Sequence, residues 1–161
     1  MKPVLCALAL LTLGACASYD GYSLRPGTST EDEVRRTMGQ PAMEFRNPDG
    51  TRELAYPRGP LGTQTFMADV GGDGVLRALR PVLDDDIFRT IEPGMTRDQV
   101  LRLIGPPGDV MEFPRMGQVS YEYRFMDSWR YLALFSVNFD RNGIVVGKFT
   151  RRIERGDGRS R

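Results

Sequence analysis

Apolar residues stand four apart in two short stretches of this chain, Val34 with Met38 and Val100 with Ile104. That spacing places each pair on one helical face. The two stretches carry the same punctuation. Thr30 and Thr96 precede the pattern, and Glu33 and Gln99 follow three residues later. At that spacing a side chain and a backbone N–H cap a helix start reciprocally. Asp32 and Asp98 place negative charge in the first turn, where the helix dipole favours it. Gly39 and Gly105 suit a left-handed closing residue, and Pro41 and Pro107 prevent continuation. Two helices of two to three turns are therefore predicted. Every repeated position has a structural reason, and none needs a reaction to explain it.

Downstream of each helix the period changes from four to two. Residues 121–125, YEYRF, alternate aromatic and charged, as a half-buried strand does. From Tyr131 to Phe139 the odd positions form one apolar face, and FDRNGIVV then reads as strand, Asn-Gly-type turn and strand. In the earlier copy Phe66 answers Phe135, and Asp73-Gly74 answers Asn142-Gly143. The triplet MEF also occurs twice, at Met43–Phe45 and Met111–Phe113. Between the copies, LDDDIFRTIEPG suits a short acidic-capped helix.

The expected fold is α+β: a tandem repeat of short helices, each followed by three or four antiparallel strands, with the helices on one face of a curved sheet. Unit 1 spans 16–82 and unit 2 spans 83–150. A unit of this size buries too little surface to be secure alone, and its sheet has an open edge. Edge-to-edge joining into one longer sheet is the expected remedy.

The first fifteen residues are set apart as a lipoprotein signal peptide. Lys2 is followed by an apolar run from Val4 to Leu13 and then by Leu13-Gly14-Ala15-Cys16. A run of about ten apolar residues falls short of the roughly 20 that span a bilayer. The small residues before Cys16 resemble a bacterial lipobox, which implies that Cys16 is diacylated and becomes the mature N-terminus. Ala17 after it points to the outer membrane. Cys6 leaves with the signal, so no cysteine remains for a disulfide, metal or nucleophile. What remains is neutral, with 21 basic and 21 acidic side chains once Lys2 is removed, and nothing suggests nucleic-acid binding. Residues 151–161 read as a basic flexible tail, with attraction to anionic headgroups as a second reading.

Gly94, Met95, Thr96, Gln99, Val100, Gly105 and Pro107, followed by a Tyr-rich strand and NFDRNGIV, resemble the SmpA/OmlA (BamE-like) family of outer-membrane lipoproteins. Unit 2 carries the match. Unit 1 departs from it, with Glu33 in place of the Gln and one residue inserted before the helix. The resemblance implies an accessory factor of the outer-membrane β-barrel assembly machinery, working by protein–protein contact. Two tandem units are also similar to the architecture of the β-lactamase inhibitor protein family, which implies partner binding on a concave sheet. An inhibitor or sensor of an envelope enzyme is thus the alternative function.

The chain has no histidine. Ser-His-Asp and Cys-His catalysis, His-ligated zinc and imidazole bases are excluded. Asp69 to Gly74 has the look of a calcium loop, but its twelfth position is Arg80, so a hairpin turn is expected. The acidic run Asp84–Asp86 is read as a helix start. No catalytic residue, metal or cofactor is expected, and an enzyme is not. The remaining candidates are two loops: YPRGPLG with Arg58, and FMDSWRYL with Trp129, Arg130 and Tyr131. Trp, Tyr and Arg are the residues enriched in binding hot spots. The competing reading is that Trp129 closes the core, since a small domain needs its large aromatics inside.

Anchoring is directly testable. Cys16→Ser should leave the precursor unprocessed or misplaced, and the wild type should need detergent to extract, each buried CH₂ contributing about 0.8 kcal/mol. Mass spectrometry of the wild-type N-terminus checks this; an unmodified, soluble periplasmic form overturns it.

Overall fold

The computed structural model describes residues 21–58 and 62–153. The signal segment and Cys16 lie outside the described residues, as does the tail from 154 onwards. The chain runs α1 (Glu31–Met38), β1 (Met43–Arg46), β2 (Arg52–Pro57), β3 (Thr65–Val70) and β4 (Leu76–Pro81). It continues through α2 (Asp85–Arg89), α3 (Arg97–Ile104), β5 (Asp109–Phe113), β6 (Gln118–Met126), β7 (Leu132–Phe139) and β8 (Val145–Arg152). Two four-stranded antiparallel sheets result, sheet 1 in the order β1-β2-β3-β4 and sheet 2 in the order β5-β6-β7-β8. The fold is α+β in two tandem units. The last strand runs to Arg152, two residues beyond the boundary read from sequence.

Both capping boxes form. The Glu33 and Gln99 N–H groups donate to Thr30 Oγ1 and Thr96 Oγ1 at 3.3 and 3.2 Å, while the Thr30 and Thr96 N–H groups donate to Glu33 Oε2 and Gln99 Oε1, both at 2.8 Å. The closing glycines differ from expectation in one respect. Gly39 and Gly105 have φ of 83° and 75°, but their ψ values of −164° and −170° are extended, not left-handed helical. That combination is open essentially to glycine alone, and it turns the chain directly into the next strand.

The start of each helix is also tied to the last hairpin of its own unit. Glu31 N–H donates to Gly74 O at 2.9 Å and Arg97 N–H to Gly143 O at 2.8 Å. Leu76 N–H donates to Ser29 O and Val145 N–H to Met95 O, both at 2.8 Å. One backbone pattern therefore closes each unit, with Thr30 bridged to Val75 and Thr96 to Ile144.

Strand periodicity sorts the cores. Tyr123, Phe125, Phe135, Val137 and Phe139 point to the helical side of sheet 2 and surround Val100 and Ile104. Phe88 of α2 stacks on Phe135, with ring centroids 3.9 Å apart, and meets Phe125 edge-on. In unit 1, Leu54, Tyr56, Ala68 and Val70 receive Val34 and Met38.

The way the units join departs from the expected single long sheet. Among the described residues no strand of one sheet pairs with a strand of the other. Instead α3 lies between the sheets. Val100 and Ile104 enter the core of sheet 2, and Leu101 packs with Phe45, Ala55, Met67 and Val82 on the back of sheet 1. Helices thus cover sheet 1 on both faces. The physical reason is the larger return from face burial, because Ala55 and Met67 are apolar on the side away from α1 and edge pairing would have left them in water.

Arg102 completes this contact. Its guanidinium lies 4.6 Å from the Phe45 ring centroid and donates to Asn47 Oδ1 at 3.1 Å and Glu53 Oε1 at 3.4 Å. Gly105 sits at the tightest point, where a Cβ would stand 2.9 Å from Thr65 Cγ2 and 3.5 Å from Ala55 Cβ. Its carbonyl accepts a hydrogen bond from the Tyr123 hydroxyl at 3.1 Å. Tyr56 takes the corresponding place in unit 1 without a hydrogen-bond partner for its hydroxyl, and burial pushes its pKa up to about 12.

Thr96→Ala should cost about 0.5–2 kcal/mol through the lost cap. Gly39→Ala and Gly105→Ala share the strain of positive φ, about 1–3 kcal/mol. Gly39 has open space around it, so Gly105→Ala should be the more destabilising by roughly 1–3 kcal/mol for the added crowding. Denaturant midpoints of the two alanine variants check this. Equal midpoints would mean that the contact between units is not close-packed.

Candidate functional site

The β6–β7 hairpin is built around one carboxylate. Asp127 Oδ1 accepts from the N–H groups of Trp129 at 3.0 Å and Tyr131 at 2.8 Å, and Arg152 Nε donates to Asp127 Oδ2 at 2.7 Å. Backbone bonds close the turn, from Arg130 N–H to Asp127 O at 2.8 Å and from Asp127 N–H to Tyr131 O at 2.9 Å. The β7–β8 hairpin is built the same way. Asp140 Oδ1 accepts from Asn142 and Ile144 N–H, each at 2.9 Å, and Gly143 holds φ at 76°. Arg130 occupies the place of that glycine with φ at 66°, a value unusual for any other residue.

This geometry settles the position of the candidate residues. Trp129 is 76% exposed and Tyr131 58% exposed, so the tryptophan does not close the core. The stacked Phe88 and Phe135, with Phe125, fill that end instead. Arg130 is exposed beside Trp129. The Arg152 guanidinium lies 4.7 Å from the Tyr131 ring centroid, so the phenol is braced from one side. Ser128 N–H and Oγ donate to Asp85 Oδ2 at 3.2 and 2.6 Å, which ties the hairpin to α2.

Between the hairpin and the linker lies a cleft of ≈ 370 Å³, lined by residues that include Gln64, Leu83, Asp84, Met126 and Arg130. The FMDSWRYL stretch lines this cleft through Met126, Asp127, Ser128 and Arg130. No described residue of the YPRGPLG stretch does, and the β2–β3 connection reaches it through Thr63 and Gln64, which follow that stretch. Gln64 Oε1 also accepts from Val82 and Leu83 N–H at 3.1 and 3.0 Å, holding the linker in place. Arg58 is set apart from the cleft. Its N–H donates to Gln64 O at 3.0 Å, but its guanidinium lies over Phe66, 4.9 Å from the ring centroid, on the α1 side of sheet 1.

The carboxylates singled out in the sequence have structural partners. Asp69 pairs with both arms of Arg80 at 2.9 and 3.0 Å, Asp73 Oδ1 accepts from Val75 N–H, and Asp84 caps α2. Among the described residues no group of acidic side chains could hold a metal ion, and no helix is long and apolar enough to cross a membrane.

No protein-family model matches this sequence, and no curated protein matches it either. Solved structures similar to it include the following two. One is a Streptococcus mutans protein named as a candidate beta-lactamase inhibitor, 11% identical, covering 78% of this chain and 84% of its own, with a TM-score of 0.31. The other is a DUF4309 family protein, YjgB, from Bacillus subtilis, 16% identical, covering 83% of this chain and 84% of its own, with a TM-score of 0.32. Likeness at this level leaves the functional reading to the chain's own geometry.

Sequence reasoning missed the open face of sheet 2, where Met111, Phe113 and Phe149 are exposed and the Ser120 and Ser136 hydroxyls are buried without hydrogen-bond partners. The signal is the second MEF triplet, which in the sequence stands out only as a repeat of the first.

Hydrogen bonding makes the hairpin pH-sensitive at its acidic end. Partial burial opposes ionisation of Asp127, but the Tyr131 N–H and the Arg152 guanidinium outweigh it and hold the carboxyl below the usual range. A depressed folded-state pKa means that the stabilisation is complete above about pH 4 and lost as pH falls through the lower value. Trp129 fluorescence should therefore be flat from neutral pH down to about 4 and change below it, and Asp127→Asn should remove that change. Arg130→Gly relieves the positive φ, so its melting temperature should equal or exceed that of the wild type.

Proposed function

We propose that this chain is a non-catalytic lipoprotein, anchored through Cys16 on the periplasmic side of the outer membrane, that holds an envelope protein through its β6–β7 hairpin. The exposure of Trp129 on a braced turn carries this reading. A large aromatic held outside the core by a fixed backbone loses little conformational freedom on binding, and tryptophan and arginine are frequent hot-spot residues. The chain's only tryptophan has that position, followed directly by the exposed Arg130 and Tyr131.

The setting we propose is outer-membrane β-barrel assembly, on the strength of the GMTRDQV segment and its resemblance to SmpA/OmlA lipoproteins. In that reading the motif residues build the scaffold, as the caps at Thr96 and Gln99 do here, and the hairpin meets the partner. The alternative, an inhibitor or sensor of an envelope enzyme, would rely on sheet 2 alone. A surface shared by both sheets is blocked because α3 occupies the back of sheet 1.

The test is recovery of partners from detergent-solubilised envelopes with wild type and Trp129→Ala, alongside melting curves. Exposed positions usually change stability by less than about 0.5 kcal/mol, whereas truncating a hot spot costs about 2 kcal/mol or more of binding. Unchanged melting with a lost partner supports the proposal, and the partner's identity separates barrel assembly from enzyme inhibition. Full recovery by Trp129→Ala would remove the hairpin from the binding site.

A further inference from the structure

The turn that leads into α1 has a counterpart in unit 2. Leu24 N–H donates to Gly21 O at 2.9 Å, as Ile91 N–H donates to Phe88 O at 3.3 Å. Gly27 N–H then donates to Leu76 O at 2.7 Å, and Gly94 N–H to Val145 O at 2.9 Å. Leu24 and Ile91 are both buried. By this match Gly21 answers Phe88, and Tyr22 answers Arg89.

The matched positions are used differently. Phe88 enters the core of unit 2. Gly21 leaves no room for a side chain, since it holds φ at 65° and a Cβ would stand 2.7 Å from Leu79 Cδ2 and 3.2 Å from Met38 Sδ. The aromatic ring of this turn belongs instead to the next residue, which faces outward in both units. Tyr22 is 87% exposed, the highest value for a large apolar or aromatic side chain among the described residues. No hydrogen bond or ring contact among those residues holds its side chain. The backbone beneath it is fixed all the same, because the bond from Gly27 to Leu76 ties the turn to β4.

Chain length says what lies beside this ring. Gly21 stands five residues after Cys16, and five steps of fully extended chain reach at most about 18 Å. With the Cys16 acyl chains in the bilayer, the Tyr22 turn stands within that distance of the headgroups. So short a tether makes the second contact intramolecular, and it needs little affinity of its own. Tyrosine suits a membrane–water interface, with an apolar ring and a hydroxyl that stays wet. Asp20 and Arg25 are the only charged residues between Cys16 and Glu31, so charge is balanced there and the ring carries the attraction. We propose that Tyr22 seats unit 1 on the membrane, its ring in the headgroup layer of the leaflet that holds the Cys16 acyl chains. The seat rests on the anchored reading given above and does not involve the β6–β7 hairpin. It turns the Met38 end of α1, which packs on Gly21, toward the bilayer.

The test places a fluorophore at the site. Tyr22→Trp in a Trp129→Phe background leaves one tryptophan in the chain. The processed protein is reconstituted into vesicles of phosphatidylcholine brominated on its acyl chains, since bromine quenches only a ring at the bilayer. Emission of the Tyr22→Trp protein should shift to the blue and lose intensity, and the loss should persist at high salt because no excess charge holds the contact. Arg89→Trp in the same background marks the equivalent turn of unit 2 and should stay unquenched. Mass spectrometry of the N-terminus is read on the same samples. Unquenched emission from diacylated protein would overturn the seat and leave the anchor standing, whereas an unmodified Cys16 would overturn both. Equal quenching at the two positions would assign it to general adsorption, and quenching abolished by salt would assign it to charge; either result overturns the proposal.

Discussion

The close approach at Gly105 is the constraint on which the assembled molecule depends. A helix of eight residues ordinarily has one face to bury, and α3 buries two. Val100 and Ile104 make it the lid of sheet 2, and Leu101 makes it the cover of sheet 1. Both roles need the helix to end without a side chain at its last turn, because Thr65 and Ala55 already occupy that space. The Tyr123 hydroxyl fastens the Gly105 carbonyl from the opposite side. One residue therefore carries a backbone conformation open essentially to glycine, a contact with the neighbouring unit and a buried hydrogen bond to its own unit. Two modest cores thus share a wall, which offsets the small burial of either unit alone.

Repetition in sequence did not produce repetition in environment. Arg36 and Arg102 occupy matched positions, yet Arg36 returns a hydrogen bond to the Asp32 carbonyl of its own helix, while Arg102 bridges the units. Tyr56 and Tyr123 are likewise equivalent, and only Tyr123 has a partner for its hydroxyl. The difference arises because the chain has two units and one contact between them. Each repeated position on the joining surfaces is used once and left once. The outer side of α1 answers this with charge, where Arg35 bridges Glu31 and Glu44. The open side of sheet 2 answers it incompletely, with exposed apolar side chains around unpartnered oxygens.

The β6–β7 hairpin follows a different logic. Its exposed side chains, Trp129 and Tyr131, are held by a turn whose polar groups bond internally. Asp127 takes two backbone N–H groups and one guanidinium, and Arg152 braces the ring of Tyr131. The positive φ at Arg130 is the cost of placing a charged side chain where the sister hairpin uses Gly143. Pre-ordering of this kind reduces the freedom that side chains lose on binding, which is why the proposed role rests on this hairpin.

The sequence by itself determined whatever depends on near neighbours. Capping boxes, the four-residue stripes, the closing glycines and the alternation of YEYRF are local, because each rests on groups within a few residues of one another. They specified the helix starts, the faces turned inward and the two-unit plan. The seating of the units was decided only by tertiary structure, since the choice between joining sheet edges and covering a sheet face depends on apolar area contributed from distant parts of the chain. Ala55 and Met67 read as ordinary strand residues until α3 is placed over them. The position of Trp129 was open for the same reason. FMDSWRYL has the Asp spacing of the sister hairpin but Arg in place of Gly, so the turn was hidden and the tryptophan could be read as either core or surface. Phe88 resolved it by filling the core from a segment some forty residues upstream, a packing competition that no local pattern records.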